Sequence, residues 1–228
     1  MKAEIISEAL KGDTLSAVEL ALQNQDTAAA VHLLDEAMRA LYWQHKALPA
    51  AIAIGQAGAH LAITASIASQ DNTSSAEEFR KLTKQFCFNL GSFTWPGWNE
   101  PGIAIGPSDL AVGLAAATAN LRLANELQKD ELPMSRAHWL MGAHLLAARR
   151  FAEAKTHFET SAAFAAKASV RTEELLGVGF AHLADSLVSP QVTAHTDALN
   201  KTMSELHGIP DGPSFAEQLE TASKVFVP

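Results

Sequence analysis

The sequence predicts an all-α chain of antiparallel helical hairpins, and three observations carry that prediction. Apolar residues recur every three to four positions along almost the whole chain, the period of a helix with one buried face. About a fifth of the chain is alanine, the strongest helix former, while β-branched runs are scarce. Breaks in the pattern fall at Gly, Pro, Asp and Ser clusters spaced one helix apart.

Composition bounds what such a chain does. At 228 residues it suffices for one substantial core. Hydrophobic residues make up 48% and charged residues 18%, so many helix faces must be buried. A net charge of −8 without a basic stripe argues against a nucleic-acid partner, because backbone binding needs clustered Lys and Arg. A single cysteine, Cys87, excludes an internal disulfide and a Cys-based zinc site. Glu4 and Glu8 interrupt the apolar stretch that a signal peptide would need, so a cytoplasmic location is expected.

The periodicity places helices at 3–10, 14–24, 26–46, 49–69, 74–92, 108–128, 134–149, 151–168, 171–188, 191–206 and 214–225. N-terminal caps are expected at Asp26, at Ser74 with Glu77 three residues on, at Ser108, and at Ser214 with Glu217. Pro133 and Pro190 are expected near helix starts, where a missing N–H costs little. The stretch from Ala47 to Gln70 carries no Asp, Glu, Lys or Arg and is long enough to span a bilayer. Its Ala and Gly content, with Pro49, Gln56, His60 and several hydroxyls, instead predicts a buried soluble helix, in which Ala51, Gly55 and Ala59 admit a close neighbour. The expected organisation is one domain over 1–228: helices to residue 92, an irregular loop at 93–107, and helices from 108 onward.

Short patterns recur. "GAHL" occurs at Gly58–Leu61 and Gly142–Leu145, and "AHLA" at Ala59–Ala62 and Ala181–Ala184. The longest pattern is "AHWLMGAHLLAARRFAEAKTHFETSAAFA", Ala137 to Ala165, with Gly142, Phe151, Ala154, Phe158 and Ser161 at characteristic spacing. This segment resembles a tetratricopeptide repeat, although Trp139 lies one position beyond the family's Trp. "AVHLLDEA", with Ala30, Leu34 and Ala37, resembles a second helix of the same repeat. The two "GAHL" copies stand 84 residues apart, which is no multiple of the family's 34. The resemblance therefore implies a compact, degenerate superhelix of stacked hairpins.

The same resemblance implies a non-enzymatic interaction protein that holds a partner chain, or a second copy of itself, in the groove of its first helices. The groove positions of the best repeat are Arg136, Trp139, Leu140, Ala143, Leu146 and Ala147, so the basic clamp that receives acidic tails is absent apart from Arg136. Such a groove suits an apolar helix, a second subunit or the chain's own C-terminal stripe of Phe215, Leu219, Ala222 and Phe226.

Other candidate sites read as structural. No H-E-x-x-H is present, and His32 with Asp35 or Glu36, and Glu153 with His157, are ordinary helix-surface spacings, so no metal and no cofactor are expected. His60, His144 and His182 read as satisfied interior histidines. Cys87, between Phe86 and Phe88, reads as an inert core thiol.

One stretch resists the helical pattern: "FTWPGWNEPGIAIGP", Phe93 to Pro107. Its prolines remove donors and push the preceding residues out of the helical region. The indoles of Trp95 and Trp98 either plug the crevice between the earlier and later helices or, with Asn99 and Glu100 beside them, form a contact for a ligand or partner. The second use opens an alternative function, a small-molecule-binding protein or enzyme with a pocket between helices beside this loop.

Overall fold

A computed structural model describes residues 1–23 and 26–227. Among them the chain is entirely helical between its turns: α1 (Lys2–Leu10), α2 (Thr14–Leu22), α3 (Thr27–Trp43), α4 (Leu48–Ala68), α5 (Thr73–Phe93), a 3-10 turn (Pro96–Trp98), α6 (Pro107–Glu126), α7 (Glu131–Ala147), α8 (Phe151–Lys167), α9 (Arg171–Val188), α10 (Thr193–His207) and α11 (Gly212–Phe226). It divides into two compact units, Met1–Thr94 and Trp95–Pro228, whose boundary lies inside the proline- and tryptophan-rich stretch.

In the first unit α4 is the central element, packed between α3 and α5. Small residues make this possible. A Cβ at Gly55 would lie 2.6 Å from the Met38 sulfur, and one at Gly58 would lie 2.4 Å from the Phe86 ring. The buried small face of α4 thus runs through Ala51, Gly55, Gly58 and Ala62, and Ala59 is only half-buried. α4 is long and apolar enough by composition to cross a membrane, and eight of its residues are buried against its neighbours.

The first unit also buries a carboxylate. Asp35 is 3% exposed, accepts hydrogen bonds from Gln85 (3.0 Å) and Asn89 (3.1 Å) of α5, and pairs with Arg39 at 2.9 Å. A buried charge is tolerable only with such partners, and these tie α3 to α5. Asp35 is therefore an interior residue, contrary to the surface position expected from its spacing. Cys87 is buried, as its apolar neighbours predict.

In the second unit each of α7 to α11 packs on the helix before it, and α11 folds back onto α9 and the 3-10 turn. Three successive turns share one geometry. Gln128, Arg149 and Ser169 take left-handed φ values of 46°, 60° and 59°. The next N–H in each case reaches back to a carbonyl of the helix's last turn: Lys129 to Ala124 (3.0 Å), Arg150 to Leu145 (2.9 Å) and Val170 to Ala165 (3.0 Å). This is the Schellman arrangement, which satisfies the orphan carbonyls of a helix end.

Hairpin contacts again rest on small residues. A Cβ at Gly142 would lie 2.8 Å from the Phe158 ring, and one at Gly177 would lie 2.9 Å from both the Ala162 nitrogen and the Phe158 oxygen. Phe158 in turn stacks on Phe180 at 5.1 Å between ring centres. Ion pairs join α7 to α9 (Arg136–Glu173, 2.6 Å) and α8 to α9 (Lys155–Asp185, 2.8 Å).

Several local expectations need correction. Asn72, rather than Ser74, caps α5 by accepting from the Ser75 N–H at 3.2 Å, because its side chain reaches one turn ahead. α6 begins at Pro107 after Gly106, whose N–H donates to Asp109 at 2.8 Å, leaving Ser108 within the first turn. α11 begins after Asp211, and Ser214 donates back to its carbonyl at 3.1 Å. Pro133, at the third position of α7, and Pro190, in the turn ahead of α10, do stand near helix starts as expected. Asp26 caps α3 as expected, accepting from Ala28 at 2.9 Å.

Candidate functional site

Three of the residues singled out in the sequence, Trp95, Trp98 and Trp139, come together in the second unit. The Trp95 indole is 1% exposed and donates its Nε1–H to the Ala143 carbonyl at 3.0 Å. Trp98 meets it edge-on at 4.8 Å, Trp139 at 5.2 Å and Phe180 at 5.7 Å, and Phe226 lies tilted against it at 6.2 Å. Trp98 and Trp139 are themselves 5.5 Å apart. Edge-to-face geometry dominates, the arrangement that the ring quadrupoles favour.

Backbone constraints in the loop aim the two indoles. A Cβ at Gly97 would lie 2.3 Å from the Trp95 ring, so only glycine fits between Pro96 and Trp98. Asn99 takes φ 47°, and its N–H donates to the Pro96 carbonyl at 3.0 Å, closing the 3-10 turn. Asn99 is exposed and Glu100 half-buried, so both stand at the rim of the cluster.

The expected groove residues are distributed differently from one another. Trp139 is 8% exposed, and its Nε1 has no hydrogen-bond partner among the described residues. Leu140, Ala143 and Leu146 are fully buried. Arg136 is exposed and holds Glu173 through both Nε and Nη2. Phe180 and Phe226 complete the aromatic cluster, and only Phe226 belonged to a pattern visible in the sequence. In the C-terminal stripe Leu219 and Ala222 are buried, and Leu219 lies where a Cβ at Gly179 would stand.

Beside this cluster, at the C-terminal ends of α7, α9 and α11, lies a cavity of about 540 Å³. Leu146, Phe151, Leu187 and Phe226 contribute its apolar lining, and Arg149 stands at its edge. Val188, 57% exposed, with Val225 and Val227, adds exposed apolar surface next to it. The first unit has a smaller cavity of about 390 Å³ between Ala9, Leu10, Pro49 and Ala53.

The histidines do not behave alike. His60 is exposed, His144 is buried and His182 is half-buried. His138 of α7 and His157 of α8 face each other with Nδ1 atoms 3.0 Å apart. Burial, reinforced by the His157 charge, pushes His138 down to about 4. Burial also lowers His157, opposed by the neighbouring Glu153 carboxylate. Burial likewise lowers His182. Among the described residues no group of three or more His, Cys, Asp or Glu side chains is arranged to hold a metal ion.

Comparison with known proteins returned no match: no family model, no curated protein and no solved structure corresponds to this chain.

Proposed function

We propose that this chain is a cytoplasmic, non-enzymatic interaction protein whose second unit is a degenerate tetratricopeptide-like array. It takes an apolar segment of a partner chain, or of a second copy, at the end where α7, α9 and α11 terminate. The observation that supports this reading is the cavity lined by Leu146, Phe151, Leu187 and Phe226 with exposed Val188, Val225 and Val227 beside it. Apolar surface gathered at one place marks contact sites more often than singly scattered residues do. The burial of Trp139 and Leu140 supports a contact surface at this end over one along the full length of α7.

Residue-specific photocrosslinking tests the proposal. A photoreactive side chain at Val225 is expected to capture one discrete species, either a partner or a second copy, while the same group at exposed Thr156 on α8 captures none. Equal capture from both positions would contradict it.

A second reading rests on the cavity's size. Its volume of about 540 Å³ lies within the range of small-molecule sites, and its lining residue Phe226 touches Trp95 of the loop. A metabolite that raises the melting temperature of the wild type but not of Leu187→Trp, which fills the cavity, would favour this reading.

A further inference from the structure

We propose that His138 and His157 form a two-imidazole chelate for a first-row divalent cation, of which zinc is the test ion, with water completing the coordination shell. The two nitrogens approach across the α7–α8 hairpin to 3.0 Å, and the ring centres are 5.2 Å apart. Zn–N bonds of about 2.0–2.1 Å at a tetrahedral angle would separate the two nitrogens by about 3.3 Å. The two nitrogens need to part by about 0.3 Å, the rings tilting so that both lone pairs converge on the ion, and the proton shared between the Nδ1 atoms is taken up at Nε2 of its own ring, by way of solvent, leaving both imidazoles neutral.

The surroundings hold the pair in place. One turn before His138, Ser135 donates its hydroxyl to the Ser161 carbonyl at 2.9 Å, and Ser161 lies one turn beyond His157. That buried bond fixes the register of α7 against α8 next to the two rings. Phe164 stacks on His138 with planes 20° apart and centres 5.6 Å apart, limiting rotation of the imidazole. Ligands held by packing and hydrogen bonds spend little entropy on coordination.

Charge and access also suit a cation. Burial keeps His138 neutral at physiological pH, so little proton competition opposes a metal there. Glu153 lies one turn before His157 and adds negative potential at that ring, while Arg150 holds its carboxylate at 2.6 Å. Both imidazoles are half-buried, which leaves a route for an ion and its waters. With two protein ligands the site has one fewer than the three usual for an open zinc site, so the ion is held weakly and exchanges readily, and water or a ligand from outside fills the remaining positions.

The experiment compares thermal unfolding with and without zinc chloride at neutral pH, reversed by a chelator, in wild type, His138→Gln, His157→Gln and His60→Gln. Zinc is expected to raise the melting temperature of wild type and of His60→Gln, whose ring lies exposed on α4, and to leave both pair variants unmoved. No rise in wild type, or a rise that persists in either pair variant, would overturn the assignment. Zinc titration of the wild type followed through its histidine ring resonances gives an independent answer that does not depend on variants folding. Two rings shifting together at one equivalent supports the chelate, and shifts confined to other histidines overturn it.

Discussion

The Trp95 indole donates to the Ala143 carbonyl at 3.0 Å, so a side chain from an irregular loop is bonded into the body of α7 one turn from Trp139. The bond orients Trp95 so that Trp98, Trp139, Phe180 and Phe226 all meet its ring. A proline-rich connection thereby becomes part of the second unit's core.

Replacing Trp95 should be expensive. Trp95→Ala is expected to destabilise by about 3–5 kcal/mol, the usual cost of truncating a buried tryptophan. Trp95→Phe, which loses the hydrogen bond but keeps most of the apolar area, should cost about 1–3 kcal/mol. Urea unfolding midpoints of the three proteins check the order.

Glycine-mediated packing predicts a second ranking. At Gly177 an added Cβ meets main-chain atoms at 2.9 Å, whereas at Gly142 it meets the Phe158 ring at 2.8 Å. A ring can tilt; two helix backbones can separate only by disrupting the hairpin. Gly177→Ala should therefore destabilise by about 1–3 kcal/mol, more than Gly142→Ala, whose clash is partly offset by the helix propensity of alanine. Thermal denaturation of both variants tests the ranking.

A gain in stability is expected at Ser169, held at φ 59°. Left-handed backbone strains a residue with a Cβ and leaves glycine unstrained. Ser169→Gly should stabilise by about 0.5–1 kcal/mol after the extra entropy of glycine in the unfolded chain is deducted. Ser169→Ala should bring no such gain. Chemical denaturation separates the two.

Acid should weaken the α7–α8 hairpin. The folded pKa of His138, about 4, lies below its unfolded value near 6.5. Its neutral form therefore supports the fold fully above the unfolded pKa, and that support is lost as pH falls from about 6.5 towards 4. Wild type should lose more stability than His138→Gln between neutral pH and pH about 5. Urea midpoints at the two pH values measure the difference, and parallel losses would contradict the prediction.

Much of the helical layout is legible in the sequence because a buried face imposes its period on every helix. The predicted ranges coincide with α1 to α11 to within a few residues. Helix ends were less legible. The three Schellman turns use Gln128, Arg149 and Ser169 where glycine would have announced them, and their energy comes from carbonyl satisfaction, which leaves no residue signature. Asp35 is hidden for a related reason: periodicity marks apolar positions, and its partners Gln85 and Asn89 come from a different helix.

The site follows the same division. Trp95, Trp98 and Trp139 stand out by residue type, and the loop's prolines mark it as irregular. That they meet one another, together with Phe180 and Phe226, depends on how α7, α9 and α11 stack. The facing of His138 and His157 depends on the hairpin's register, which the spacing of 19 residues does not fix without knowledge of the turn at Arg149.

The most direct test of the proposed role is recovery of partners from the native host's lysate by wild type and by a Val188→Asp, Val225→Asp variant shown to be folded. The account predicts that wild type retains a specific partner, or a second copy of itself, and that the variant loses it. A partner held equally by both proteins would contradict the placement of the contact surface at this end of the second unit.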